Sequence, residues 1–210
     1  MATFFKGPLG GFSGSIGPVV GSTWNELDVM RSQPGPRKGD PSAAQVDQQA
    51  KFALAGNFLS NTRRLLSTTM QGKGNMTGFN IAQQNILDNA IIGTSNAYSI
   101  DYSKVIVSFG VLPNALGHSV ASAAAGKITW SWQMSPGMGE DPNDLSVLIA
   151  YSEDLGRVAY TLTGALRSAA TDSLTIPVFS GKLVQTWLSF ITPDRKEIAK
   201  SVFTGQLTVQ

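Results

Sequence analysis

The chain contains no cysteine, which excludes disulfide frameworks, thiolate metal sites and cysteine nucleophiles. It has a single histidine, His118, set in a Leu-Gly-His-Ser stretch with no acidic or nucleophilic neighbour in sequence. A metal centre would have to rely on carboxylates, which suit Mg²⁺ or Ca²⁺ better than transition metals. Charge is scarce: 14% of the 210 residues are charged, against roughly 25% in an ordinary soluble domain. The formal net charge of +2 gives little repulsion between copies, so self-association is physically easy. No apolar run approaches the about 18 residues a membrane-spanning helix needs. The start, Met-Ala-Thr-Phe-Phe-Lys, has no charged segment leading into an apolar one. Cytoplasmic synthesis without a signal peptide is therefore expected, with export only as part of a virion or other particle.

Gly, Ser, Thr, Ala, Asn and Gln take the place of the missing charge, and the hydrophobic share of 42% is that of a globular chain with a real core. Residues 1–100 hold eight Lys/Arg against five Asp/Glu, and residues 101–210 hold eight against nine. The first part is mildly basic, far short of a nucleic-acid-binding stripe.

Residues 7–33 are punctuated by glycine, and the segments Ser15–Val20 and Ser22–Ser32 predict two short strands, with a turn near Asn25–Glu26. A Pro/Gly-rich linker at 33–41 ends at Ser42, which with Gln45 fits a capping box. A helix follows from Ala43 to about Thr68, with apolar residues on two stripes, so that both faces are expected to be covered. Gly72–Asn75 breaks it, and a second helix runs from about Thr77 to Ile91. From Lys104 the period changes to two, with strands predicted at 104–111, 126–134, 145–152, 157–163, 172–178, 183–191 and 197–209. Turn residues such as Ser135-Pro-Gly137 separate them. The expected fold class is α+β: an N-terminal β-hairpin plus two helices over 1–100, then a seven-stranded fibronectin/immunoglobulin-like β-sandwich over 101–210.

No catalytic, metal or cofactor residue is expected from the sequence. The Gly10–Gly17 run lacks a following Gly-Lys-Ser/Thr and the GxGxxG spacing, and turn glycines explain it. Glu140, Asp141 and Asp144 could chelate Ca²⁺ between loops, although Asp-Pro-Asn-Asp is ordinary turn chemistry. Arg31, Arg37, Lys38, Arg63 and Arg64 lack the density and interleaved aromatics of a nucleic-acid binder. Trp130 shares the alternation of Ile128 and reads as core, whereas Trp187 falls opposite Leu188 and Phe190 and is expected at the surface.

Gly11–Trp24, Val29–Pro34, Gln45, Lys51-Phe52-Ala53, Thr77–Asn80, Tyr102–Lys104 and Gly164–Ala169 together resemble an uncharacterised family of about this length in Bacteroidota genomes, a domain of unknown function. The first hundred residues also look like phage-associated structural proteins, in which a glycine-rich strand segment and a Pro-rich linker precede a helix and an immunoglobulin-like segment. Arg31, Pro41, Gln45 and Phe52-Ala53 carry that similarity, while Leu65-Leu66 stand where that pattern has a Trp-rich helix end.

The reading that follows is a non-enzymatic structural protein that self-assembles, a phage or phage-derived virion component forming homo-oligomers or joining other particle subunits. Its candidate interface is Trp24, Arg31, Phe52, Leu59, Arg63, Leu66 and Trp187. The alternative is a monomeric or dimeric protein- or glycan-binding module.

Overall fold

The computed structural model describes residues 3–4, 10–24, 27–36, 39–70, 76–95, 97–134 and 139–210. The expected turns at Asn25–Glu26 and Ser135–Gly137, the helix break at Gly72–Asn75 and the basic pair Arg37 and Lys38 lie outside the described residues. The chain divides into two units, Met1–Ser42 and Ala43–Gln210, rather than at residue 100.

In the first unit β1 (Thr3–Phe4), β2 (Phe12–Ile16), β3 (Val19–Trp24) and β4 (Leu27–Ser32) form an antiparallel meander in that order. The expected strand Ser15–Val20 is interrupted by a turn: Ile16 pairs with Val19 across Gly17 and Pro18. Gly17 has φ +56°, a conformation open to glycine, and it occupies the first central position of a two-residue hairpin loop. Gly21 is the one buried residue among those described in this unit. The Phe12 ring lies where a Cβ on Gly21 would stand, so the aromatic covers the bare backbone.

The second unit begins with α1 (Ala43–Thr69) and α2 (Gly78–Asn85), followed by a π turn (Ile86–Ala90) and the short pair β5 (Ile91–Ile92) and β6 (Ser99–Ile100). Thr77 caps α2, its side chain accepting the Asn80 N–H at 3.3 Å. The buried residues of α1 are Ala55, Phe58, Leu59, Thr62, Leu65, Leu66 and Thr69, the three-and-four spacing of a single face. Within the second unit, one wide face of α1 is covered. Its second apolar stripe either belongs to the same wide buried face, as Leu59 and Leu66 do, or stands in solvent, as Phe52 does at 49% exposure.

The remaining strands are β7 (Leu116–Ala124), β8 (Lys127–Gln133), β9 (Leu145–Ser152), β10 (Arg157–Thr161), β11 (Thr171–Thr175), β12 (Leu183–Ile191) and β13 (Val202–Thr208). They form two antiparallel sheets, β10-β9-β12-β13 and β11-β8-β7, with a core between them. That core holds Ile128, Trp130, Trp132, Leu148, Leu188 and Phe190. The other face of the four-stranded sheet carries Val147, Ile149, Tyr151 and Trp187, which pack with Phe58, Leu59, Leu65 and Leu66 of α1 and Ala82 of α2. The second unit is therefore three layers: helices, four-stranded sheet, three-stranded sheet. The central strands β9 and β12 are buried on both faces, and β9 reads accordingly as a nearly continuous apolar run from Val147 to Tyr151.

The strand expected at 104–111 is not in a sheet. A 3-10 turn, Tyr102–Lys104, opens a buried strap whose backbone is satisfied largely by hydroxyl side chains. Thr69 Oγ1 donates to the Val107 carbonyl at 2.7 Å, and Ser201 Oγ accepts the Val107 N–H at 2.9 Å. Ser108 Oγ donates to the Ala199 carbonyl at 2.8 Å. The strap alternates like a strand because it is extended and buried, but its partners are side chains, two isolated bridges and the Ser201 N–H, which donates to the Ser108 carbonyl at 3.0 Å. The ladder position passes to β7, which pairs with β8.

Candidate functional site

The N-terminal sheet presents apolar side chains that no described residue of its own unit buries. Register places Val20 and Trp24 of β3 on one face with Leu27, Val29 and Arg31 of β4; Val19 lies on the other with Met30 and, across the Gly17–Pro18 turn, Ile16. Trp24 is 57% exposed, Leu27 66% and Met30 71%. All six residues of β4 are exposed, and it is the last strand of its sheet. An edge strand is ordinarily blunted by Lys, Pro or a bulge. β4 has neither Lys nor Pro, and its pairing with β3 shows no register shift. Its charges are Asp28, which accepts from Thr23 Oγ1 at 3.2 Å, and Arg31.

The first half of α1, residues 43–54, contains no buried residue. Val46 and Phe52 are about half exposed, at 47% and 49%. A polar cluster holds this half in place: Lys51 Nζ lies 3.0 Å from Asp47, the Tyr98 hydroxyl donates to Asp47, and Lys51 sits over the Tyr98 ring. The Tyr98 hydrogen bond and then Lys51 hold the Asp47 carboxyl below its ordinary value, and the same contacts raise Tyr98 and Lys51.

The structure separates the residues singled out as an interface. Trp24 and Arg31 are exposed on the N-terminal sheet, and Phe52 and Arg63 are exposed on α1. Arg63 lies over the Phe79 ring at 5.9 Å. Leu59, Leu66 and Trp187 are at most 1% exposed and belong to the helix–sheet core. Trp187 does point away from Leu188 and Phe190, but the face it occupies is covered by the helical layer. Its indole N–H donates to the Val105 carbonyl rather than to a partner. Met30 was not singled out from sequence; the signal was β4 itself, a short alternating strand with little to protect its edge.

Two members of the acidic group near 140 are paired with an arginine. Glu140 and Asp144 lie 3.2 and 3.1 Å from the guanidinium of Arg167, and all three side chains are almost completely buried. Arg167 also donates to the Pro113 carbonyl at 2.9 Å and stacks on Phe190 at 4.2 Å. Burial pushes the Asp144 carboxyl up, and Arg167 pulls it partly back. Among the described residues no group of three or more His, Cys, Asp or Glu is placed to hold a metal ion. His118 is half-buried on β7. No helix among the described residues is long and apolar enough to cross a membrane.

A family model matches residues 11–205 and describes a family of unknown function (DUF6266). No curated protein and no solved structure matches the chain.

Proposed function

The chain belongs to this family of unknown function, so its role has to be argued from its own surface, and we propose that it is a non-enzymatic structural protein that self-assembles. The observation that carries the proposal is the N-terminal sheet, which buries one described residue, Gly21, while Trp24, Leu27, Val29 and Met30 stand in solvent. A few strands with no covered face are marginal alone, and apolar exposure on a free edge is completed by another chain. The low charge removes the repulsion that would oppose it. The second unit has its own two-sided core and is the stable body that such contacts would array.

The proposal extends to a phage or phage-derived virion component. Its support is the resemblance carried by Arg31, Pro41, Gln45 and Phe52-Ala53. It also extends to a fibronectin-like sandwich displayed by each subunit. In chain order the first, second and fifth sandwich strands share one sheet, and the fourth, third, sixth and seventh share the other. That order differs from a constant-type immunoglobulin domain in the sheet to which the fourth strand belongs.

Sedimentation velocity and negative-stain microscopy across protein concentration and salt test the reading. Rings, lattices, tubes or shells that grow with concentration are expected. A monomer at every concentration would overturn it and favour a binding module, for which buried Trp187 supplies no anchor.

A further inference from the structure

A cleft of about 800 Å³ opens in the second unit between the end of α2, the 3-10 turn at Tyr102–Lys104 and the start of β13. That volume is in the range that holds a small organic ligand. Its lining has a pronounced chemical bias. Two lysines, Lys104 and Lys200, and the amides Asn85 and Asn89 share it with apolar side chains that include Phe203, and no carboxylate among the described residues lines it.

The polar groups are arranged by the fold rather than scattered. Asn85 Oδ1 accepts the Ile106 N–H at 3.0 Å, which fixes the amide and leaves its Nδ2 hydrogens without a protein partner among the described residues. Asn89, on the π turn, donates to the Asn85 carbonyl at 3.3 Å and keeps its Oδ1 as an acceptor. Turns of this kind recur at functional sites because the extra residue redirects a side chain. Lys104 leans on Asp101 at 3.5 Å but is more than half exposed, a contact worth little in water. Lys200 is exposed, and no carboxylate among the described residues pairs with its ammonium.

We propose that this cleft binds an anionic, hydroxyl-rich ligand of sugar size, a sugar acid or a sugar phosphate. The anion would be held by Lys200 and Lys104, the hydroxyls by the donor of Asn85 and the acceptor of Asn89, and the apolar face of the ring by Phe203. Paired amide donors and acceptors match adjacent hydroxyls, and an ammonium without a local counter-charge matches a carboxylate or phosphate. The site uses residues of the second unit alone and does not depend on assembly.

Isothermal titration of the full chain with glucuronate, glucose 6-phosphate, glucose, inorganic phosphate and a tetraglutamate peptide tests it. Saturable binding of glucuronate or glucose 6-phosphate is expected, with the stronger of the two showing whether carboxylate or phosphate is the natural anion. Glucose and inorganic phosphate should each bind at least about tenfold more weakly, because each lacks half of the recognised chemistry. Lys200→Ala, at a side chain with no other partner among the described residues, should weaken the charged sugars by about tenfold while leaving the circular dichroism unchanged. No heat with either charged sugar overturns the proposal. So does equal binding of phosphate alone, tighter binding of tetraglutamate, or a Lys200→Ala variant that binds as the parent does.

Discussion

The indole nitrogen of Trp187 donates to the carbonyl of Val105 at 3.1 Å, joining the central strand β12 to the strap that runs beneath the helices. The ring is fully buried and meets Tyr102 and Phe203 edge-on, with centroids 6.2 and 5.7 Å away. Trp187→Phe keeps most of the volume but leaves that carbonyl without its donor, so stability should fall by about 1–3 kcal/mol. Trp187→Ala adds a cavity and should cost about 3–5 kcal/mol. Urea unfolding midpoints check both. An alanine variant as stable as the parent would contradict the core position.

Leu27 and Met30 sit on opposite faces of the edge strand β4 and are more exposed than any other large apolar side chain described in the N-terminal sheet. Leu27→Lys together with Met30→Lys places a charge on each face of the edge, the device by which natural edge strands avoid pairing. The double variant should sediment as a monomer at concentrations where the parent assembles. Its melting temperature should stay within a few degrees, because neither side chain contributes to a core. Unchanged assembly would move the interface elsewhere on the chain.

The strands from Lys127 to Thr208 were legible in the sequence because their alternation and turn residues agree. The helices were legible too, but their partner was not. A sheet taken as one-sided leaves the face of Gln185, Trp187 and Ser189 to solvent. Yet β9 carries Leu148 and Ala150 on one face and Val147, Ile149 and Tyr151 on the other, the mark of a strand covered twice. Read that way, α1 has somewhere to lie, and Leu59 and Leu66 become core residues instead of an interface. The strap at 105–109 could not be told from a strand by periodicity, since what distinguishes it is that Ser201 and Thr69, distant in sequence, supply its hydrogen bonds. The open edge of β4 was visible in composition, though only the strand order shows that no further described strand pairs with it.

Asp144 faces Arg167 in a nearly water-free site that also holds Glu140, so one guanidinium serves two carboxyl groups. Burial raises the Asp144 carboxyl above its ordinary value of 3.8. The folded state therefore holds this proton more tightly than the unfolded state. The resulting stability is complete below pH 3.8 and is lost as pH rises through the folded-state value. Asp144→Asn keeps the shape and removes the proton, so its unfolding free energy should vary less with pH in the mildly acidic range. A parallel pair of pH profiles would show that Asp144 is not the group responsible. Arg167→Met is the complementary change: it strands both carboxyl groups and should cost about 3–5 kcal/mol at neutral pH.

Asp47 has the opposite sign. The Tyr98 hydroxyl donates to it and Lys51 pairs with it at 3.0 Å, and together they hold its carboxyl below 3.8. The stability this gives is present above pH 3.8 and is lost as pH falls through the lower folded-state value. Tyr98→Phe keeps the ring under Lys51 and deletes the donor, so the Asp47 carboxyl should titrate at higher pH when followed by carbon NMR. The same change loosens the tie on the first half of α1, which buries no residue of its own. Amide exchange over residues 43–54 should quicken, while residues 55–69, packed through Phe58, Leu59, Leu65 and Leu66, should exchange as before. If Asp47 titrates at the same pH in both proteins, the Tyr98 hydroxyl is not what lowers it, and Lys51 and Ser95 must account for the shift.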